Sequence, residues 1–341
     1  MTKKYLITCG AGFIGSNYVA RLIERGEDVS IYDNLSRPGS TFNLSWLESL
    51  KKNSFQLIEA DIRDQEAINK AVAGKDVVVH LAGQVAVTTS VINPQEDFEI
   101  NAQGTLNVLE AARNSSQNPI VLYASTNKVY GGMEDIQVIE TETNYHYLDY
   151  PHGISEEFPL DFHSPYGCSK GSGDQYVRDY QRIYGLPTVV LRQSCIYGPR
   201  QFGVEDQGWL AWFIIAVLTG KQISIYGNGK QVRDVLFVSD LLDVYDACIE
   251  NIDTAAGRIY NIGGGSEKMI SVWKEFSPIL EEMLNKEIPV VWGDWRPGDQ
   301  KIYVSDIRKA QIELGWEPKI SVRDGLQILL NWAQNNISLF S

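Results

Sequence analysis

A doubly wound, parallel α/β sheet is the fold class this sequence predicts, and three observations predict it. Short β-branched runs alternate with helical periods through the first half of the chain. Most of those runs are apolar on both sides, as strands covered by helices on two faces must be. The first run leads directly into a glycine-rich turn and then a helix. In order, the expected strands are residues 5–9 (YLITC), 29–32 (VSIY), 55–59 (FQLIE), 77–81 (VVVHL), 120–124 (IVLYA), 188–192 (TVVLR) and 258–262 (RIYNI). Helical periods over 14–25, 65–73, 98–114 and 167–184 separate them.

After about residue 193 the alternation gives way to Gly and Pro loops, clustered tryptophans and shorter helices, which predicts a smaller lobe. Because 258–262 still reads as a buried strand, that lobe is expected to be discontinuous. The division predicted is 1–192 with about 235–262 for the sheet domain, and about 193–234 with 263–341 for the second domain. A chain of 341 residues is long enough for two such cores.

The net charge of −13 disfavours nucleic acid and anionic membrane as partners. The longest apolar run, 209–218, is well short of the roughly 20 residues a spanning helix needs, and residues 1–4 lead straight into a strand pattern, so a cytoplasmic protein is expected. Cys9, Cys168, Cys195 and Cys248 form no C-x-x-C pair, and His80, His146, His152 and His163 lack metal-ligand spacing. Reduced thiols and no metal are the expectation.

Gly10-Ala11-Gly12-Phe13-Ile14-Gly15 follows the first strand and opens a helix, and Asp33 closes the next strand. This is G-x-G-x-x-G in the strand-turn-helix setting of a Rossmann dinucleotide site, where backbone N–H groups at a helix start meet a pyrophosphate. Asp33 accepts hydrogen bonds from ribose hydroxyls and repels a 2′-phosphate, so NAD is expected over NADP; Arg37, four residues on, is the feature that would favour a phosphate. Asn34 and Ser36 lie between them. Asp61-Ile62 and the Leu81, Ala82 and Gln84 positions sit at carboxyl ends of strands, where ligands bind in open sheets.

Tyr166 and Lys170 share a helix face at i, i+4 spacing. A phenol has a reference pKa of about 10 and serves as a base near neutrality only if a cation such as Lys170 stabilises its phenolate. Thr126, after the fifth strand, brings a hydroxyl to the same sheet edge, suited to polarising a substrate oxygen that loses its proton.

With these residues in place the chain resembles the extended short-chain dehydrogenases/reductases that act as nucleotide-sugar epimerases and dehydratases. The resemblance runs through HLAGQ (80–84), NAQGTLNVLEAA (101–112), STNKVYG (125–131), SPYGCSK (164–170), YGPRQ (197–201), GNGKQVRDV (227–235) and RPGDQ (296–300). It implies Thr126, Tyr166 and Lys170 as the catalytic triad. It also implies Asn101 on the cofactor side, and Gln193, Gln201, Arg233 and Arg296 with Thr126 on the substrate side, the two arginines gripping a pyrophosphate.

Two departures from the family pattern carry information. Cys9 stands where the family has a glycine, so either Gly10 takes the turn or Cys9 is strained. Asn127-Lys128 stands where the dehydratases carry an Asp-Glu pair, so elimination lacks its acid and base and epimerisation is expected. Stretches 83–90, 160–171 and 200–209 are most similar to the branch that inverts C2 of CDP-hexoses; inversion at C4 of a UDP- or GDP-sugar is the alternative. A non-catalytic NAD-binding sensor has no need of the triad. The resemblance further implies a homodimer or homotetramer. The 132–163 segment reads equally as a sugar lid, a surface loop or a subunit contact, and Gln193 equally as a selector of the reacting carbon or a packing residue.

Overall fold

The computed structural model describes residues 2–51, 54–296 and 299–340. Pro297 and Gly298, in the middle of the RPGDQ motif, lie outside the described residues.

All seven expected strands occur and form one sheet: Lys4–Thr8, Asp28–Asp33, Phe55–Glu59, Val77–His80, Ile120–Thr126, Thr188–Gln193 and Ile259–Ile262. Numbered one to seven along the chain, their spatial order is 7-6-5-4-1-2-3, and every neighbouring pair is parallel. The order reverses between Lys4–Thr8 and Val77–His80, which run side by side with Thr8 opposite His80. A crevice opens at the carboxyl ends of two strands whose connections leave in opposite directions, and this is where an open sheet binds ligands.

Apolar residues alternate between two cores. Ile7, Ile31, Val79 and Leu191 face one side, against the helices Phe13–Glu24 and Val238–Glu250. Leu6, Val78, Val121 and Val190 face the other, against Gln65–Val72, Gly104–Arg113 and Ser164–Tyr184. A third core is built from the Trp209–Thr219 and Val322–Asn335 helices with Trp273 and Phe276. Residues 307–316 pack with the first core through Ile307, Ala310, Leu314 and Trp316 although they follow residue 263.

The helical period read over 98–114 is broken into Pro94–Phe98, a π-helical turn Glu99–Gln103, and Gly104–Arg113. Gly104 sits against Ile62, where a Cβ would come within 2.8 Å of its Cγ2. The fifth strand runs two residues further than read, to Thr126. Residues 132–163 do not line the cleft described below. Their hairpin, Val138–Glu140 with Tyr145–Tyr147, packs on Val232 and Tyr303, and the Tyr147 hydroxyl donates to the Ile302 carbonyl at 3.1 Å. Among the described residues no helix is long and apolar enough to cross a membrane, and no cluster of three or more His, Cys, Asp and Glu is placed to hold a metal.

Candidate active site

The first strand ends at Thr8 and the next residue, Cys9, adopts φ 54°, so the left-handed backbone falls on Cys9 and not on Gly10. The next glycines are required by contact. A Cβ on Gly12 would lie 2.6 Å from the Cys9 Sγ, and one on Gly15 would lie 2.2 Å from the Cys9 carbonyl oxygen. Burial pushes the Cys9 thiol up to about 12, helped by Asp33, so it stays protonated and unreactive. Helix Phe13–Glu24 has no side-chain cap and no acidic residue in its first turn, which leaves its N-terminal amides facing this turn without a compensating group. A dinucleotide pyrophosphate fits such a cradle.

Asp33 is buried and fixed from both sides: the Ala11 amide donates to one carboxylate oxygen at 3.0 Å and the Leu35 amide to the other at 2.8 Å. Arg37 donates to Gln207 rather than to Asp33. Asn34 donates to Asp61 at 3.1 Å and accepts from the Ser36 hydroxyl at 2.7 Å. The fork of Arg63 closes on Asp61, and this hydrogen bonding holds the carboxyl down at about 2. Ile62 is buried beneath.

Across the switch point, the amides of Leu81 and Ala82 both donate to the Thr8 hydroxyl at 3.0 Å. The Thr8 proton therefore goes to His80 Nδ1, 2.9 Å away. His80 Nε2 then donates to the Thr105 hydroxyl, which itself donates to the Asn101 carbonyl at 2.6 Å. The tautomer of His80 follows from this chain, and burial pushes its pKa down to about 3.

Asn101, on the π-helical turn, accepts from the Gln84 amide at 2.9 Å and has Asp97 and Ser169 within 3.1 Å of its own amide nitrogen. Its side chain thus ties the 81–84 loop to the helix Ser164–Tyr184. Gln84 closes its side chain on Ala86 in the same loop.

These elements surround a cleft of about 630 Å³ whose wall includes Phe13, Ile14, Leu81, Thr126, Tyr166 and Lys170. Burial pushes the Tyr166 phenol up, and the neighbouring Thr126 hydroxyl opposes that rise. Lys170 donates to the Ala124 carbonyl at 2.6 Å and lies over the Tyr123 ring, and burial pushes it down to about 7. The helix bearing both residues is anchored to the sheet by a buried pair: Arg192 meets Asp174 through two nitrogens at 2.9 Å, while Ser125 donates to Asp174 at 2.7 Å.

On the far wall, Gln193 is the in-register neighbour of Thr126, and its amide donates to the Tyr245 hydroxyl at 2.8 Å. Gln201 donates to the Ile196 carbonyl at 3.2 Å and leaves its own amide oxygen without a partner among the described residues. Arg296 lies 3.7 Å over the Tyr226 ring and meets Asp206 at 3.1 Å. Arg233, on strand Val232–Phe237, is not among the residues lining the cleft; it donates to the Val232 carbonyl at 2.7 Å, and its charge acts on Cys195 and Lys128. Trp209 stacks edge-on with Phe213 and Phe276 while lining the cleft.

Sequence reasoning missed Asp97 and Ser169, which brace the triad helix, and Asp206, which holds Arg296. Ser169 and Asp206 lie within stretches that carry the resemblance, but those patterns do not say what either touches, and the fold is what brings all three to their partners. Lys128 entered it only as a replaced dehydratase residue, and the structure puts its side chain on the cleft wall.

Comparison with known proteins gives a family match over residues 6–329 to GDP-mannose 4,6 dehydratase. The chain is 45% identical over 339 residues to a CDP-paratose 2-epimerase of Salmonella typhi, covering 97% of this chain and 99% of that one. It is 35% identical to a putative UDP-glucose 4-epimerase of Methanocaldococcus jannaschii, over 97% of this chain and 98% of the relative. Among solved structures it is similar, at 29% identity and a TM-score of 0.84, to a double mutant of dTDP-glucose 4,6-dehydratase from Streptomyces venezuelae with NAD bound, with 98% of each chain covered.

Proposed function

The chain belongs to the extended short-chain dehydrogenase/reductase family of nucleotide-sugar epimerases and dehydratases, and from that premise we propose that it is an NAD-dependent epimerase inverting C2 of a CDP-hexose. The observation that carries the chemistry is that Thr126, Tyr166 and Lys170 line one cleft together with Phe13 and Ile14 of the glycine-rich turn. NAD, when bound, supplies a hydride acceptor that can return what it takes.

The chain's own residues do the rest. A ring hydroxyl of the sugar donates to Thr126, and its proton passes to Tyr166 as the C–H bond at the same carbon breaks. Lys170 in its charged form favours the phenolate over the phenol. The carbon becomes a ketone, the sugar presents its other face, and Tyr166 gives the proton back. No net oxidation results. Asn127 and Lys128 stand beside Thr126 on the cleft wall, and neither is the carboxylate that a water-loss step needs.

The substrate-side residues are Gln193, Gln201, Arg233 and Arg296, with the arginines meeting the diphosphate. Asp206 occupies Arg296 in the meantime and must yield it. Asp33, Asn34, Ser36, Arg37, Asp61, Ile62, Leu81, Ala82, Gln84 and Asn101 build the cofactor side, Asn101 and Gln84 by fixing the loop. We place the enzyme in the cytoplasm, as a homodimer or homotetramer. Exposed Val91, Ile92, Phe98, Tyr176 and Ile183 on adjoining helices offer an apolar face that a second copy would cover.

Incubating the protein with CDP-, UDP- and GDP-hexoses and following ring configuration by NMR tests the reading. Inversion at C2 of the CDP-sugar is expected. Inversion only at C4 of a UDP- or GDP-sugar would replace it with the 4-epimerase reading.

A further inference from the structure

Lys128 lies two residues beyond Thr126, in the 3-10 turn Asn127–Tyr130 that ends the fifth strand. Its backbone amide donates to the Thr126 hydroxyl at 3.2 Å, and its half-buried side chain lines the cleft. The ammonium donates to the Gln300 amide oxygen at 3.3 Å, and Gln300 is itself held by its bond to the Gly131 carbonyl at 2.5 Å. Lys128 forms no ion pair among the described residues.

Its neighbours make that arrangement costly. Burial and the nearby Arg233 both push the Lys128 ammonium down, to about 8, while Asp299 and the Cys195 thiol push the other way. Lys128 on the cleft wall and Arg233 on strand Val232–Phe237 repel each other. Burying a charge without a counter-ion is expensive. Arg296 adds a second cation to the cleft wall, although Asp206 already engages it. A cleft built this way is complementary to an anion lying against Lys128.

Resting on the 2-epimerase reading, we infer that Lys128 binds the phosphate directly attached to the sugar and thereby selects C2 as the carbon that reacts. The chemistry of the substrate supports this. C2 is bonded to the anomeric carbon, and the anomeric oxygen carries that phosphate, so C2 sits at the charged end of the ring and C4 across the ring from it. A cation fixed to the residue next but one after Thr126 draws the charged end toward Thr126 and Tyr166. An amide or carboxylate at the same place would not. Lys128 is in this sense a specificity-determining residue that touches the substrate and transfers no proton.

Calorimetric titration of the NAD-loaded protein with CDP and CMP tests the inference, because the two ligands differ by that one phosphate. Lys128→Met is expected to weaken CDP about tenfold or more, the loss of one charge-assisted contact, to leave CMP within about twofold, and to leave bound NAD unchanged. Lys128→Arg should restore most of the CDP affinity. Equal weakening of CDP and CMP, or no weakening of CDP, overturns the inference. Should the methionine variant fail to retain NAD, Lys128→Gln compared with Lys128→Arg reads the same diphosphate-to-monophosphate ratio. The titration is repeated with UDP/UMP and GDP/GMP. Preference of the unsubstituted protein for one of those pairs overturns the CDP assignment alone, and the ratio for that pair then decides Lys128.

Discussion

Tyr166 is buried, and its environment favours the protonated phenol. Its work as a base therefore depends on the Thr126 hydroxyl and on the charge of Lys170. Tyr166→Phe should lower kcat by at least about a thousandfold and Thr126→Val by about a hundredfold, the range expected for a lost proton-transfer group and a lost polarising donor, with NAD retained in both. Rate measurements on protein of known NAD content check this. A phenylalanine variant with substantial turnover would remove Tyr166 from the role. These three residues were legible in the sequence because a helix spacing and a strand end put them at one sheet edge. Asp97, Ser169 and Asp206 were not, since each acts through a contact with a residue distant in the chain.

The elements that hold the site are joined by polar side chains buried between them. The Thr8–His80–Thr105 chain connects the first strand, the fourth strand and the helix that follows the π-helical turn. Its folded state keeps His80 neutral down to about pH 3, whereas an unfolded chain protonates the ring near 6.5. The unfolded state thus binds the extra proton between those limits, and stability contributed by His80 is lost as pH falls through 6.5. Denaturant midpoints measured between pH 7.5 and 5 should fall for the unsubstituted protein and fall less for His80→Gln, which cannot titrate. Equal slopes would mean that His80 titrates in the fold as it does in the unfolded chain. The strands were readable because a strand buried on both faces has to be continuously apolar. The π-helical turn was not readable, because 98–114 keeps a helical apolar period straight through it.

At the scale of the whole molecule, a chain of net charge −13 is organised around two anionic ligands. The conflict is resolved within the cleft. In the proposed reading, backbone amides at the start of helix Phe13–Glu24 serve one pyrophosphate, and Arg233, Arg296 and Lys128 serve the other. The glycine-rich turn read from the sequence follows the strand at which the sheet order reverses. The second site depends on strand Val232–Phe237, which pairs outside the main sheet with Cys195–Tyr197, Met269–Ser271 and Ile302–Tyr303. Pairings over such separations leave no local pattern, so the arginines were found by resemblance and Lys128 by its position in the fold. The reaction proposed for this cleft inverts C2 and moves its hydrogen away and back as hydride. A CDP-hexose deuterated at C2, incubated in ordinary water and examined by NMR, tests both at once. A product inverted at C2 that keeps its deuterium is expected. Deuterium lost to solvent, or a product inverted at C4 with the C2 centre untouched, would contradict it.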